Sequence, residues 1–177
     1  PDFYLQRYRS NHYQWDNTFK NTYRFYLGGE IAYPTQWIKP KLNISFENLT
    51  RYIYFAENGM PKQMDGNIQV LAANLQLNFT TPWVNLENRI VYQHSSSDAL
   101  PLPTLTMYNN LYYHGTWVKA LDVQIGVDMR YFTEYYAPIL NPTLGQFCVQ
   151  SKEQVGNYPV MNVYANFYVK HIRLKLF

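Results

Sequence analysis

The stretch Leu121–Tyr136, which reads LDVQIGVDMRYFTEYY, alternates between apolar and polar positions. Its odd positions are apolar or aromatic as far as Tyr131, whereas its even positions from Asp122 to Arg130 are charged, amide or glycine. Successive side chains of a β-strand point to opposite faces, so this alternation predicts a strand with one apolar and one polar face. The alternation alone does not say whether the apolar face contacts a protein core or lipid.

The same alternation recurs along the chain and predicts eight strand segments. They are Asn17–Tyr33, Trp37–Phe55, Asn67–Thr81, Val84–His94, Thr104–Trp117, Leu121–Tyr136, Val160–Val169 and a last segment from Ile172. Short turns near Pro34, Pro82, Lys119 and Lys170 alternate strictly with long loops at Ala56–Gly66, Ser95–Pro103 and Ala137–Pro159. Up-and-down strands with short turns at one end and long loops at the other are typical of outer-membrane barrels. Pro1–Asp16 has no clear period and is predicted to be a loop or the upper end of a strand.

Composition excludes several classes of protein. The net charge of +3 comes from dispersed basic residues, a pattern that does not indicate a nucleic-acid partner. The single cysteine, Cys148, excludes an internal disulfide framework and a multi-cysteine metal site. No stretch approaches the roughly 18 apolar residues of a transmembrane helix. The strands of a transmembrane barrel contain no such apolar run, because their apolar and polar residues alternate. The chain begins PDFYLQRY, without the features of a signal peptide, so we expect a mature chain or a piece of one.

Aromatic residues gather at the ends of the predicted strands, near the short turns and toward the long loops. Those that we expect at the two membrane interfaces are Tyr33, Trp37, Trp83, Trp117, Tyr92, Tyr131 and Tyr135. A soluble eight-stranded barrel or sandwich also alternates, with its apolar residues inside, and stays an alternative at this point. Two aromatic girdles around an aliphatic band favour lipid outside.

The polar faces are rich in Asn, Gln, Tyr, Thr and Gly, with scattered charges of both signs, as in the lumen of a barrel. The predicted pore-lining residues are Arg24, Glu30, Lys39, Lys41, Glu47, Glu87, Arg89, Asp122, Asp128, Arg130, Glu134, Arg173 and Lys175. These charges either set a field for solutes in a pore or form cross-strand ion pairs that stabilise the interior.

Enzymatic and metal-binding sites have weak signals. His94 is followed by Ser95, Ser96, Ser97 and Asp98, but adjacency in sequence is not the spatial triad that acyl transfer needs, and there is no G-x-S-x-G motif. A calcium site in Glu57–Asp65 lacks the D-x-D-x-D-G spacing. We therefore expect no catalytic activity, no metal and no cofactor.

Three segments carry a resemblance to a known family. Tyr8–Asn17, Gly126–Pro138 and Asn157–Phe177 resemble the C-terminal part of the putative porin family of the Bacteroidota outer membrane. The resemblance implies that family members are several times longer than this chain and extend beyond both of its ends. Residues 1–177 would then be a single β-barrel domain that is incomplete at both ends, with eight strands as a lower bound. Phe177 is either the C-terminal aromatic that barrel-insertion machinery recognises or an aromatic placed there by truncation.

Together these observations predict an all-β, antiparallel up-and-down transmembrane β-barrel, or a fragment of a larger one, in a bacterial outer membrane. The expected function is passive, porin-like passage of small hydrophilic solutes. The alternative is a structural or accessory subunit of a larger outer-membrane complex for nutrient uptake or secretion. The expected partners are the lipid bilayer and lipopolysaccharide, with other outer-membrane proteins or a second copy of the chain as candidates, and no nucleic acid.

Overall fold

The structure, a computed structural model, describes residues 2–118, 120–169 and 172–176. One helical turn, α1 at Phe3–Gln6, precedes a chain of strands. The strands are β1 (Arg7–Arg9), β2 (Gln14–Asp16), β3 (Tyr23–Ala32), β4 (Ile38–Thr50), β5 (Ile53–Phe55), β6 (Pro61–Gln63), β7 (Asn67–Thr80), β8 (Val84–Ser95), β9 (Leu105–Trp117), β10 (Leu121–Phe132), β11 (Ile139–Asn141), β12 (Gln146–Cys148), β13 (Val160–Val169) and β14 (Ile172–Leu176). Within the part of the chain described, no helix has the length and apolar character needed to span a membrane.

Eight of these strands form one antiparallel sheet in the order β14-β13-β10-β9-β8-β7-β4-β3. Each strand pairs with the barrel strand that precedes or follows it along the chain, so the predicted all-β, up-and-down arrangement is confirmed. Seven of the eight strands have 10 to 14 residues, which matches the roughly 9–11 tilted residues that cross a bilayer. Among the described residues β3 and β14 are the edges of this sheet, and it does not close on itself.

The register gives the sheet two continuous faces. Val127 stands between Leu111 of β9 and Val163 of β13, whereas its neighbour Asp128 stands between Asn110 and Asn162. The same parity holds from β3 to β14, and we call the two sides the apolar face and the polar face.

Polar pairs interrupt the apolar face at several positions, among them Asn48 opposite Gln69 near the long loops and one pair nearer the middle of the sheet. Asn88 stands opposite Asn109 there, and its Nδ2 donates a hydrogen bond of 3.1 Å to the carbonyl of Leu77. The Leu77 carbonyl thus satisfies one donor of an amide that the register places among apolar neighbours.

The apolar face is exposed instead of packed in a core. Leu27, Ile44 and Val163 keep 63 %, 50 % and 66 % of their surface accessible. A soluble barrel or sandwich would bury the same side chains, because a contiguous exposed apolar surface is costly in water. This exposure is what a face directed to lipid requires.

Three predicted strand boundaries are wrong. The first strand begins at Tyr23 instead of Asn17. The second ends at Thr50, because Arg51 has a left-handed φ of 57° that breaks the ladder before β5. Strand β10 ends at Phe132 instead of Tyr136, and Tyr135 pairs with Val155 of the following loop.

The predicted long loops contain structure of their own. Strands β11, β12, β5 and β6 form a four-stranded sheet in that order, and β1 pairs with β2 in a separate hairpin. Trp15, Phe55 and Cys148 form a small buried core between these pieces, and we call the whole assembly the loop layer. The predicted loops Ala56–Gly66 and Ala137–Pro159 thus contain short strands, and the segment predicted as a loop or the upper end of a strand contains a hairpin between residues 7 and 16.

The short turns lie at the opposite end of the sheet. The turns near Pro34 and Pro82 are confirmed, with hydrogen bonds from Thr35 N to the Ile38 carbonyl at 2.8 Å and from Thr81 N to the Val84 carbonyl at 3.3 Å. The predicted turns at Lys119 and at Lys170 and His171, together with Phe177, involve residues outside those described.

Replacement of Ile125 by Arg tests the assignment of the faces. Ile125 lies on the apolar face and is 39 % exposed, so a guanidinium there would enter the hydrocarbon. We expect Ile125→Arg to lower the free energy of unfolding of the full-length protein in lipid vesicles by about 2–4 kcal/mol. The adjacent Gln124→Arg, on the polar face at the same depth, serves as the matched control and should cost less than about 1 kcal/mol. Equal penalties in urea titrations would contradict the assignment.

Candidate functional site

The register places nearly all of the predicted pore-lining residues on the polar face. On it lie Arg24, Glu30, Lys39, Lys41, Glu47, Glu87, Arg89, Asp122, Asp128, Arg130, Arg173 and Lys175. Glu134 lies beyond the end of β10 and lines a cavity near the long loops together with Asp98, so it is not a position of that strand, and its place in a pore lining stays a prediction. The polar face is therefore the candidate functional site, and its role as a pore lining stays a prediction.

Two diagonal ion pairs link β3 to β4 on this face. Arg24 Nε lies 2.6 Å from Oε1 of Glu47, and Lys41 Nζ lies 2.9 Å from Oε2 of Glu30. The side chains are largely solvated, so each pair contributes little to stability, at most about 1 kcal/mol. These four charges compensate one another and leave this part of the wall nearly neutral.

A second network crosses β9, β10 and β13. Asn162 Nδ2 donates a hydrogen bond of 3.0 Å to Asp128 Oδ1, which lies 4.0 Å from Arg130 Nε. The guanidinium of Arg130 lies 5.8 Å from the ring centroid of Tyr108. The carboxylate and the aromatic ring together hold Arg130 against the wall.

Two tyrosines cover Gly126 on the polar face. Tyr112 donates to Glu87 Oε1 at 3.3 Å, and Tyr164 donates to Asn110 Oδ1 at 2.9 Å. A Cβ at Gly126 would lie 2.6 Å from the Tyr164 hydroxyl and 2.7 Å from Tyr112 Cβ, so only glycine leaves room for both rings. This cluster was not predicted from the sequence. Its one signal is a glycine among larger polar-face residues, and the rings meet there only through the register of three strands.

The polar face turns apolar near the long loops. Leu49, Ile68, Val70, Val91 and Phe132 occupy polar-face positions at that end of their strands. Ile68 is fully buried. The loop that carries Gly156 packs closely over Phe132, and a Cβ at Gly156 would lie 2.8 Å from the Phe132 ring. The wall is thus polar and charged through most of its length and apolar where the loop layer begins.

The loop layer is held by its own contacts. Trp15 stacks on Tyr8 at 4.6 Å between ring centroids and donates from Nε1 to the carbonyl of Tyr4 at 2.8 Å. Burial raises the pKa of the Cys148 thiol, which keeps it protonated and unreactive at neutral pH.

An ion pair joins two distant segments of the same layer. Lys152 Nζ lies 2.7 Å from Oε1 of Glu57, and its hydrogen bond to that carboxylate raises the pKa of Lys152. The pair connects the loop after β5 to the loop after β12, which lie about a hundred residues apart in the chain.

The predicted interface aromatics lie at both ends of the sheet. Tyr33 and Trp117 lie beside the short turns, and Trp117 Nε1 donates to the hydroxyl of Tyr113 at 3.2 Å. Trp37 and Trp83 directly precede β4 and β8 and are exposed. At the long-loop ends are Tyr92, Tyr131 and Tyr135. This placement agrees with two girdles, and contact with lipid headgroups stays a prediction.

The serine cluster after His94 has no triad geometry among the described residues. Ser95 Oγ donates to the Ser97 carbonyl at 3.0 Å, and Ser97 Oγ accepts from Ala99 N at 3.2 Å. His94 has the parity of the apolar face, opposite Leu71, and forms no side-chain hydrogen bond with these serines in the described part of the chain. Over the same residues, no three His, Cys, Asp or Glu side chains gather as metal ligands would.

Comparison with known proteins gives one family and one similar fold. The model of a family described as a putative porin matches residues 1–176. The FrpB iron transporter from Neisseria meningitidis (F3-3 variant) has a similar structure, with a TM-score of 0.61 and 11 % sequence identity. The match covers 86 % of this chain and 25 % of that one, so the chain spans about a quarter of the transporter's length. At this identity the likeness shows the fold alone. No curated protein matches the chain.

Gly126→Ala tests the packing of tyrosines on the polar face. The added methyl overlaps Tyr112 Cβ, which is fixed to the backbone of β9, so we expect a loss of about 1–3 kcal/mol of unfolding free energy. Gly29→Ala is the matched control, because nothing lies within 4 Å of the position of its Cβ, and it should change stability by less than about 0.5 kcal/mol. Urea unfolding of the full-length protein in vesicles measures both. A loss at Gly29 as large as at Gly126 would contradict the packing described.

Proposed function

The chain belongs to the putative porin family, and from this premise we propose that it forms part of a barrel through which small hydrophilic solutes pass passively. The observation that carries the proposal is the continuous polar face, which runs across all eight strands opposite a face suited to lipid. Its side chains are amides, hydroxyls and charges of both signs, which solvate a polar solute without selecting strongly against either charge.

The expected class and location are confirmed at the level of the family. The protein is a β-barrel protein of the bacterial outer membrane, and such a barrel contacts the lipid bilayer. That the apolar face makes this contact is part of the proposal. The family and the fold favour a non-enzymatic role. Contact with lipopolysaccharide, association with other outer-membrane proteins and self-association belong to the proposal.

Closure of the barrel is part of the same proposal. Strands β3 and β14 form the edges of the described sheet, and each presents backbone N–H and C=O groups without a ladder partner there. Unpaired backbone groups in hydrocarbon cost several kcal/mol each, so further strands must pair with both edges in the membrane. The similarity to a chain more than three times as long supports a barrel wider than eight strands.

The loop layer favours a second candidate function. It has its own sheet, its own buried core around Trp15 and the Glu57–Lys152 ion pair. An ordered layer beside an apolar stretch of wall could hold a partner or close one mouth. In that case the protein is a structural or accessory subunit of a larger outer-membrane uptake or secretion complex.

Conductance of the full-length protein in planar lipid bilayers separates the two candidates. Passive passage predicts discrete conductance steps, and Arg89→Glu on the polar face should shift the reversal potential in a salt gradient toward cation selectivity. Lys62→Glu, the same charge change on β6 of the loop layer, is the control and should shift it much less. Absence of steps, together with co-purifying membrane proteins, would overturn the proposed passage and support the accessory role.

A further inference from the structure

A pair of asparagines lies inside the aliphatic band of the apolar face, where Asn88 of β8 stands opposite Asn109 of β9. Asn88 follows Trp83 by five residues and precedes Tyr92 by four, so it lies midway between the two predicted girdles on its own strand. On the neighbouring strand β10, Tyr131 lies two residues further toward the long loops than the residue opposite Asn109. Both asparagines therefore lie within the band, away from either girdle.

The surroundings of this asparagine pair are apolar on every side. The flanking residues in its own row and in the rows above and below are Leu77, Met129, Leu86, Leu111, Ile90 and Met107. The pair of Asn48 and Gln69 differs, because it lies at the long-loop end of its strands. The unpartnered oxygen of Asn48 is also buried, out of reach of a neighbouring molecule.

The hydrogen-bonding groups of the asparagine pair are mostly unused. Asn88 Nδ2 donates to the carbonyl of Leu77 at 3.1 Å, which leaves one N–H and the side-chain oxygen of Asn88 without a partner among the described residues. The Asn109 amide forms no side-chain hydrogen bond with any described residue, and both side chains are partly exposed. An amide that meets lipid hydrocarbon has no water to bond, so these groups favour contact with another polar group.

The position of the pair excludes cover by the rest of the same barrel. Strands β8 and β9 are the two central strands of the eight-stranded sheet, with three further strands on either side. Strands that close the barrel add at the edges β3 and β14, and they lie beside this patch instead of over it. The partner that meets the two amides is therefore another molecule in the membrane.

The chemistry of the patch favours a second copy of this chain. An amide carries both a donor and an acceptor and has no charge, so one asparagine pair is complementary to another of the same kind. Across a two-fold axis the same patch contributes from both sides, and amides then meet amides. Leu75 and Leu111 beside the pair keep 40 % and 50 % of their surface accessible and supply an aliphatic rim for the same contact.

From these observations we infer that two copies of the chain associate in the membrane through β8 and β9, with Asn88 and Asn109 at the centre of the contact. Side-chain amides join membrane segments because the alternative is an unsatisfied polar group in hydrocarbon. The inference rests on the part of the proposed function that turns the apolar face to lipid. It names the surface for the self-association that the proposed function leaves open.

Distances between spin labels on two copies test the inference. Leu111→Cys, as the single cysteine in a Cys148→Ser background, would be labelled with nitroxide in the full-length protein and measured by pulsed electron resonance in vesicles of phosphatidylethanolamine and phosphatidylglycerol. We expect a defined distance between copies that disappears when the labelled protein is diluted with unlabelled protein. Leu27→Cys on β3 is the matched control, an exposed apolar-face residue three strands or about 14 Å from β8, and its labels should lie further apart.

Substitution of the asparagines tests their role in the contact. Asn88→Leu combined with Asn109→Leu removes polar groups from an apolar surface, so the barrel should still fold, and the paired fraction of Leu111 labels should fall by at least about tenfold. Asn109→Gln keeps an amide at this position and should retain the pairing.

Three results would overturn the inference. They are the absence of a defined distance at position 111, a shorter distance at position 27 than at position 111, and pairing that survives the double leucine substitution. Conductance steps without label pairing would overturn the inference alone, whereas label pairing without conductance would overturn the proposed passage alone. A nitroxide at position 111 that is more accessible to a water-soluble nickel chelate than to oxygen would contradict the lipid contact on which the inference rests.

Discussion

The two faces of the eight-stranded sheet depend on the register of its antiparallel ladder. A slip of one residue would move each side chain of a strand to the opposite face. The alternation along β10 therefore gives continuous faces only if the neighbouring strands pair with it in the matching register. They do: Val127 meets Leu111 and Val163, while Asp128 meets Asn110 and Asn162. In hydrocarbon the same ladder must also satisfy all backbone groups, because no water is present to replace a missing hydrogen bond.

The apolar face and the polar face are stabilised by different interactions. The apolar face needs only aliphatic surface with aromatic ends, and its energetics are those of transfer into lipid. On the polar face, by contrast, individual contacts decide the local chemistry. Arg24 is neutralised by Glu47, and Tyr164 covers Gly126. Charge pairing and ring packing thus differ from place to place along the polar face.

The sequence predicts the regular part of the fold well, because the period of two is visible wherever one face is apolar. It predicts strand ends poorly, since a single left-handed residue such as Arg51 can stop a ladder without changing the pattern. The loop layer escaped prediction because its strands have three residues each and its core joins Trp15, Phe55 and Cys148 from three distant segments. The tyrosines over Gly126 were not predicted, because their rings meet only through the pairing of three strands.

Site-directed spin labelling along β10 tests the central claim that the apolar face meets lipid and the polar face meets water. Single cysteines from Asp122 to Arg130, except at Gly126, would be introduced into the full-length protein in a Cys148→Ser background and labelled with nitroxide in lipid vesicles. If the apolar face meets lipid, the nitroxides at odd positions should be the most accessible to oxygen, which concentrates in hydrocarbon. Accessibility to a water-soluble nickel chelate should be highest at even positions. Inverted phases, or equal accessibility to both quenchers along the strand, would contradict it.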